Sequence, residues 1–413
     1  MRILMISDVY FPRINGVSTS IKSFRDELIV QGHEVYLIAP EYVSDKLNHY
    51  IDDENILRIK SRQVVLDPED RLMNRKKILS YLPDLKNKQF DILHIHTPFV
   101  AHYAGLELAR LLNIPVVETY HTYFEEYLYH YIPFLPKKWL KGLARRFTRS
   151  QCNKVNAVVV PSNAMQKALT NYGVTCDLSI IPTGLNLADF DAGDADDFRK
   201  KYNIEDKRPL LVHIGRVAHE KNIDFLVHMT DQLRHTIADV LLVITGEGPS
   251  LSHLKSLVQK LGLENNVLFV GYLSREKELL DCYKAGDIFV FASHTETQGL
   301  VLLEAMACGT PVVSQAKMGT VDILKPEVGA IIAEDDQQDF VTKVLMLLQN
   351  KPLRIQMGQD AVKYAATWSA QKMTHKVLNF YQDTMNMFAS VQPGNTGHDI
   401  TVEHVVDVKQ EAS

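Results

Sequence analysis

The chain of 413 residues is poor in cysteine and has no long hydrophobic run. Its four cysteines are scattered and lack the close spacing of metal ligands, which argues against a disulfide framework or a zinc site and favours reduced thiols in a cytosolic protein. The longest apolar runs fall short of the roughly 18 residues that a membrane-spanning helix needs. The first apolar run, residues 3–6, is too short for the core of a signal peptide and predicts a first strand. The cysteines are Cys152, Cys176, Cys282 and Cys308.

The chain also lacks a strong net charge, which is −5, but its charges are unevenly distributed. Residues 1–183 carry 23 Lys and Arg against 19 Asp and Glu, whereas residues 184–413 carry 22 against 31. The first half can therefore face an anionic surface or ligand. The acidic total disfavours nucleic acid as a partner.

Short apolar runs alternate with amphipathic stretches along most of the chain. This alternation predicts βαβ units and an α/β fold with parallel sheets, and the length predicts two domains. A polar stretch at 188–208 interrupts the pattern, which then restarts. We predict Rossmann-like domains at 1–184 and 185–367, a C-terminal helix at 368–389, and a flexible tail at 390–413.

The segment HTETQGLVLLEAMACGTPVVS places Glu296 and Glu304 eight positions apart, around a turn from a buried strand into a helix. The first amides of that helix would attract an anion, and the two carboxylates would accept hydrogen bonds from sugar hydroxyls. A nucleotide-sugar has both groups. The alternative is that Glu296 is a helix-entry charge and Glu304 lies on a solvated face. The amides in question belong to Gly299, Leu300 and Val301.

The loop GRVAHEKN follows a strand that ends at Gly215 and contributes two cations, Arg216 and Lys221, before the next helix. Both suit a departing diphosphate, unless they are ordinary surface charges. A metal held by Asp-x-Asp is the alternative source of positive charge. The two such pairs, at 189/191 and 194/196, lie in the polar stretch and are interpreted as solvated loop charges, so no metal is expected.

The N-terminal half is expected to bind the acceptor. Its first loop contains Asn15-Gly16-Val17 directly before a helix, a geometry in which the backbone can approach a phosphate. His121 follows the strand at 115–119 and would lie on the cleft side, although a lone histidine is more often structural.

Together these segments resemble the family-four retaining glycosyltransferases of the GT-B fold over residues 1–385. The resemblance implies two Rossmann-like domains that face each other across a cleft, with a C-terminal helix that returns to the first domain. It implies that Glu304 binds the ribose, that Glu296 binds hydroxyls of the donor sugar, and that the amides at 299–301 contact phosphate and sugar. The remaining implied contacts are Arg216 and Lys221 with the diphosphate, Gly16 in the N-terminal loop, and His121 facing the transferred sugar or the acceptor.

Two positions depart from the family pattern. Asn15 stands where a second glycine is common, and Gln298 stands where phenylalanine is common. The Thr-Glu-Thr-Gln-Gly-Leu segment and residues 119–132 are similar to bacterial glucosyltransferases that act on diacylglycerol. This similarity implies UDP-glucose as donor, a membrane lipid as acceptor, and a cytoplasmic protein that is peripheral on the inner face of the plasma membrane.

Other activities stay open at this point. The acceptor could be a soluble or lipopolysaccharide-type sugar with GDP-mannose as donor. A nucleotide-sugar epimerase would use the same fold, and a binding module would hold the nucleotide-sugar without catalysis.

A basic segment at 134–151 bears on the acceptor. Its pattern predicts a helix with a basic face and an apolar face, as in helices that bind anionic lipid headgroups. The alternative is that the apolar face packs on the sheet. The basic residues are Lys137, Lys138, Lys141, Arg145, Arg146 and Arg149. The predicted apolar residues are Leu140, Leu143 and Phe147, with Trp139 at the boundary.

Overall fold

A computed structural model describes residues 1–42, 52–64, 67–121, 123, 137–275 and 277–391. For residues 64, 67–70, 137 and 138 it describes the backbone alone. Most of the predicted tail at 390–413 and most of the segment 119–132 lie outside the described residues.

The first sheet has seven parallel strands in the order β3-β2-β1-β6-β7-β8-β9. Strand β1 lies between β2 and β6 and is buried on both faces beyond its first residue, which explains the continuous apolar run at 3–6. A separate antiparallel hairpin, β4 and β5, projects from this domain. The strands are β1 Arg2–Ile6, β2 Glu34–Pro40, β3 Ile56–Ile59, β4 Ser61–Val64, β5 Asp67–Met73, β6 Ile92–Ile95, β7 Val116–Thr119, β8 Ala157–Val160 and β9 Asp177–Ile180.

Helices cover both faces of this sheet, and their ends match the sequence signals. Asn15 caps the first helix, and Ser162 accepts a hydrogen bond from the amide of Met165 as a cap of the sixth. Gly32 and Gly173 follow these two helices in left-handed conformations, which glycine commonly adopts where a helix ends. The helices are α1 Gly16–Val30, α2 Arg75–Leu79, α3 Leu82–Asn87, α4 Val100–Leu112, α5 Lys137–Cys152 and α6 Asn163–Asn171.

The second sheet has six parallel strands in the order β12-β11-β10-β13-β14-β15. Its strands are β10 Leu210–Ile214, β11 Leu241–Thr245, β12 Val267–Gly271, β13 Ile288–Phe291, β14 Val312–Gln315 and β15 Ala330–Ala333. Its helices are α7 Ala195–Lys201, α8 Ile223–Leu233, α9 Leu251–Leu261, α10 Glu278–Ala285, α11 Leu300–Ala307, α12 Thr320–Leu324, α13 Gln337–Gln349 and α14 Lys351–Ala365. Two Rossmann-like domains are therefore present, as predicted.

The polar stretch at 188–208 is more ordered than its composition indicates. A 3₁₀ turn at Leu187–Phe190 and helix α7 bury Phe190 and Phe198 in the second core. Asp194 caps α7 by accepting a hydrogen bond from the amide of Asp196 at 2.8 Å. This Asp-x-Asp pair thus includes a helix cap, which corrects its interpretation as two loop charges.

The final helix, α15 at Ala370–Val391, returns to the first domain. Its residues Val377 and Phe380 belong to the same buried cluster as Ile21 and Phe24 of α1. The chain therefore passes between the domains twice, once near Leu185 and once near Trp368, and backbone hydrogen bonds join the two passages. The amide of Leu185 donates to the carbonyl of Trp368 at 2.9 Å, and the amide of Ala370 donates to the carbonyl of Leu185 at 2.7 Å.

Candidate active site

One cleft of about 630 Å³ lies between the two domains, where the carboxyl ends of the strands of both sheets meet. All nine residues that the sequence singled out line it. They are Gly16, His121, Arg216, Lys221, Glu296, Gly299, Leu300, Val301 and Glu304.

The turn between β13 and α11 presents a helix N-terminus to this cleft. Gly299 is the N-cap residue and has a φ of 92°, a left-handed conformation that favours glycine. A Cβ at this position would lie 2.8 Å from Cγ2 of Thr320, so close packing also requires glycine. No side chain of the described residues caps the helix, whose first amides, at Leu300 and Val301, belong to residues of the cleft wall. The terminus therefore carries the partial positive charge that binds anions.

Lys221 and Glu296 form an ion pair on the same wall of the cleft. Lys221 ends a short 3₁₀ turn at His219–Lys221, and Asn222 follows in a left-handed conformation that starts α8. Burial opposes ionisation of Glu296, but the charge and hydrogen bond of Lys221 more than offset it, so the pKa of Glu296 lies below its usual range. Glu296 is thus an ionised hydrogen-bond acceptor inside the cleft.

Glu304 is held by two residues that the sequence analysis did not single out. Its side chain is 2% exposed, so the alternative of a solvated face is wrong. The hydroxyl of Tyr283 donates to its Oε2 at 2.8 Å, and Arg275 forms an ion pair with its Oε1. Burial raises the pKa of the Tyr283 hydroxyl well above its usual range, and the charge of Glu304 raises it further. Arg275 could have been singled out from the sequence because it lies four residues after the end of β12, and the ends of the strands face the cleft.

On the opposite wall, helix α1 presents a second N-terminus. The side chain of Asn15 accepts a hydrogen bond from the amide of Ser18 at 2.9 Å, so the departure from glycine at this position supplies a helix cap. A Cβ on Gly16 would have no atom within 4 Å, because the adjacent space is the cleft itself. A side chain there would project into the volume that a ligand uses.

His121 is half-buried and ends a row of three histidines, of which His94 and His96 are buried. Its Nε2 lies 3.4 Å from Nδ1 of His96, whose ring is tilted by 33° to that of His94 with 4.0 Å between centroids. Burial lowers the pKa of His121 to about 4, and burial followed by the neighbouring histidines lowers that of His96. His94 in turn contacts Thr119 and Tyr381 of α15, at 2.7 and 2.5 Å. The row is therefore neutral near pH 7.

The contact between His96 and His121 uses one proton. Nδ1 of His96 and Nε2 of His121 lie 3.4 Å apart, so one of these nitrogens donates and the other accepts. His121 is a neutral imidazole in either case, with one donor and one acceptor nitrogen.

The sequence of the chain is 36% identical over 323 residues to the alpha-monoglucosyldiacylglycerol synthase of Streptococcus pneumoniae, covering 76% of this chain and 71% of that protein. The chain belongs to glycosyltransferase family 4. Family models agree, since Glycosyltransferase Family 4 matches residues 14–189 and Glycosyl transferases group 1 matches residues 194–364. The enzyme is a hexosyltransferase.

Other relatives widen the range of named activities. The alpha-monoglucosyldiacylglycerol synthase of Acholeplasma laidlawii is 28% identical, covering 76% of this chain and 80% of that protein. A GDP-mannose-dependent alpha-mannosyltransferase of Corynebacterium glutamicum is 26% identical, covering 81% and 77%.

Solved structures confirm the GT-B fold of this enzyme. Sucrose-phosphate synthase from Thermosynechococcus elongatus matches with a TM-score of 0.73 at 20% identity, covering 94% of this chain and 99% of that one. An Anabaena protein, HepE, solved in complex with UDP-glucose, matches with a TM-score of 0.72 at 15% identity, covering 93% and 100%. Within the described part of this chain, no helix has both the length and the apolar character needed to cross a membrane.

Proposed function

We propose that this enzyme transfers glucose from UDP-glucose, with retention of configuration, to a diacylglycerol-type lipid at an anionic membrane surface. One observation supports the choice of a nucleotide-sugar donor: two helix N-termini, two cations and two carboxylates line the same cleft. This set matches a ligand with a diphosphate, a ribose and a sugar ring.

In this proposal each donor group has an assigned partner. The diphosphate lies between Arg216, Lys221 and the amides of α11, which stabilise its charge as it departs. Glu304, fixed by Tyr283, accepts hydrogen bonds from the ribose. Glu296 accepts hydrogen bonds from hydroxyls of the glucose ring. These cations and amides neutralise the leaving group, so the proposal assigns no metal.

Transfer follows from this placement. The bond between the anomeric carbon and the diphosphate oxygen breaks, and the electron pair leaves with the diphosphate. The acceptor hydroxyl attacks the same face of the oxocarbenium-like sugar, and its proton passes to the departing phosphate oxygen. His121 forms a hydrogen bond to a sugar hydroxyl or to the acceptor and holds it against that face. Exclusion of water from the closed cleft favours transfer over hydrolysis.

Helix α5 supports an anionic membrane as the location of the acceptor. Leu140 and Ala144 are buried against the first domain, whereas Trp139 is 77% exposed and Leu143 is 59% exposed. At 100° per residue, Leu143 lies about 60° from Leu140 on the side away from Ala144. The predicted apolar face is therefore divided, since Leu140 packs on the domain and Leu143 is exposed.

The exposed face of α5 is therefore mixed rather than purely basic. It combines Trp139 and Leu143 with the exposed side chains of Arg146 and Arg149. Apolar side chains next to arginines suit the boundary between headgroups and acyl chains. Lys137 and Lys138 begin this helix, and their side chains lie outside the described part of the chain.

The rim of the cleft supports a lipid acceptor independently. Ile14, Leu72 and Phe99 line the cleft and are each close to half exposed. All three lie on the first domain, which is expected to bind the acceptor. Such an apolar rim suits acyl chains better than it suits a sugar.

A screen of donors against acceptors tests the proposal, with the product mass measured. UDP-glucose with diacylglycerol in vesicles should give a lipid heavier by one hexose. GDP-mannose is the second candidate donor, since a GDP-mannose-dependent mannosyltransferase is among the relatives. Transfer only to soluble sugars, or equal activity with and without anionic lipid, would refute the membrane acceptor. Conversion of the donor without any acceptor would indicate an epimerase.

A further inference from the structure

Gln298 joins the donor loop to the crossing between the domains. Its side-chain amide donates to the carbonyl of Thr183 at 2.8 Å, and its side-chain oxygen accepts from the amide of Thr183 at 2.8 Å. The pair resembles one rung of a sheet ladder, made by a side chain instead of a strand. Gln298 is 7% exposed, so both bonds are shielded from water. The phenylalanine that is common at this position in the family can make neither bond.

The bridge continues from Thr183 into the first domain. The hydroxyl of Thr183 donates to the hydroxyl of Ser20 at 2.7 Å, and Ser20 lies within α1. A second contact flanks it, because the hydroxyl of Ser162 donates to the carbonyl of Thr297 at 2.7 Å. A continuous path of hydrogen bonds therefore connects the loop that precedes α11 with the helix α1.

We propose that Gln298 is a positioning residue that sets the distance between the N-termini of α1 and α11 and so holds the cleft closed around the donor. The inference rests on the proposed function for its catalytic consequence. The bridge is one residue away from the cap of α11, Gly299, and within two turns of the first residue of α1, Gly16. A change in the bridge therefore changes the width of the cleft between these two helix N-termini.

The energetic reason is the cost of imperfect placement. The donor-binding groups of the second domain and His121 of the first domain act on one ligand only when the domains keep a fixed separation, and an error of about 1 Å can cost roughly 100-fold in rate. A buried amide that satisfies both backbone groups of one residue resists such a shift, because opening the cleft would break both of these hydrogen bonds. Loss of closure would also admit water to the donor.

The test compares Q298L with a matched control, Q337L. Gln337 also donates from its side chain to a backbone carbonyl, that of Phe225 at 3.0 Å, but both residues lie in the second domain. We expect Q298L to raise the ratio of donor hydrolysis to transfer about tenfold and to increase the radius of gyration in small-angle X-ray scattering, with Q337L near the native enzyme. Native values of both quantities in Q298L would overturn the proposal.

A second variant covers the case in which Q298L does not fold. T183V keeps both bonds to Gln298, which use the backbone of Thr183, and removes only the link to Ser20. We expect smaller changes in the same direction, and a T183V enzyme with native scattering and native hydrolysis would count against the bridge. The scattering measurement needs no substrate. It therefore separates a failure of this inference from a failure of the proposed donor, which would appear in the native enzyme.

Discussion

The exposed apolar pair on α5 gives a prediction whose size follows from the structure. Full burial of a leucine is worth about 1.5–3 kcal/mol, so Leu143, which is 59% exposed, can contribute about 1–2 kcal/mol on entering a bilayer. Trp139, 77% exposed, has a larger apolar area, but insertion only to the headgroup boundary uses part of it. We take about 2 kcal/mol for the pair, which corresponds to roughly a 30-fold loss in vesicle partitioning.

The assay is co-sedimentation of W139S/L143S with vesicles that contain anionic lipid, together with hexose transfer to vesicle-bound acceptor. The control is I355S, since Ile355 is 51% exposed but lies on α14 in the second domain. Both variants change exposed side chains, so their stability should be within about 0.5 kcal/mol of the native enzyme. Equal partitioning of W139S/L143S, I355S and the native enzyme would refute insertion of this face.

Three further predictions concern the cleft. Lys221→Met should lower kcat/KM for the donor by about 100- to 1,000-fold, because it removes a positive charge that stabilises the leaving diphosphate. Native-like turnover in steady-state kinetics would exclude this role. Gly299→Ala should lower the melting temperature and weaken donor binding in calorimetry, because alanine is strained at a φ of 92° and meets Thr320; unchanged binding would contradict the assigned packing. Burial holds the pKa of His94 at about 3, of His121 at about 4 and of His213 at about 4. His213 lies in β10. Its contribution to the free energy of unfolding should be complete above pH 6.5 and should fall by about 1.4 kcal/mol per pH unit as the pH decreases toward 4. Denaturant unfolding of His213→Gln should therefore depend less on pH over that range. An unaltered pH dependence would show that His213 is not buried in neutral form.

The donor wall of the cleft was predictable because its signals are local. A buried strand, a glycine and a helix follow one another in the chain, and parallel strands place such turns at one edge of a sheet. Glu296 and Gly299 could therefore be assigned together from sequence. The two-domain fold followed from the same alternation of short strands and helices.

The missed features depend on contacts between distant residues. Gln298 and Thr183 are 115 positions apart, and Glu304 and Arg275 are 29 apart, so no local pattern pairs them. The division of the predicted apolar face of α5 has a different cause. The helical period places Leu140 and Leu143 on one face, and only the packing of Leu140 and Ala144 against the domain decides which side of that face is buried.

The return of α15 to the first domain has a consequence for synthesis of the chain. The core beside α1 needs Val377 and Phe380, which leave the ribosome roughly 10–40 s after the last strand of the first sheet at typical elongation rates. The second domain, whose residues are contiguous, can complete its core first. The N-terminal half of the cleft is therefore the last part of the enzyme to mature, and a chain that stops before residue 370 would lack a helix that packs beside α1 on one face of the first sheet.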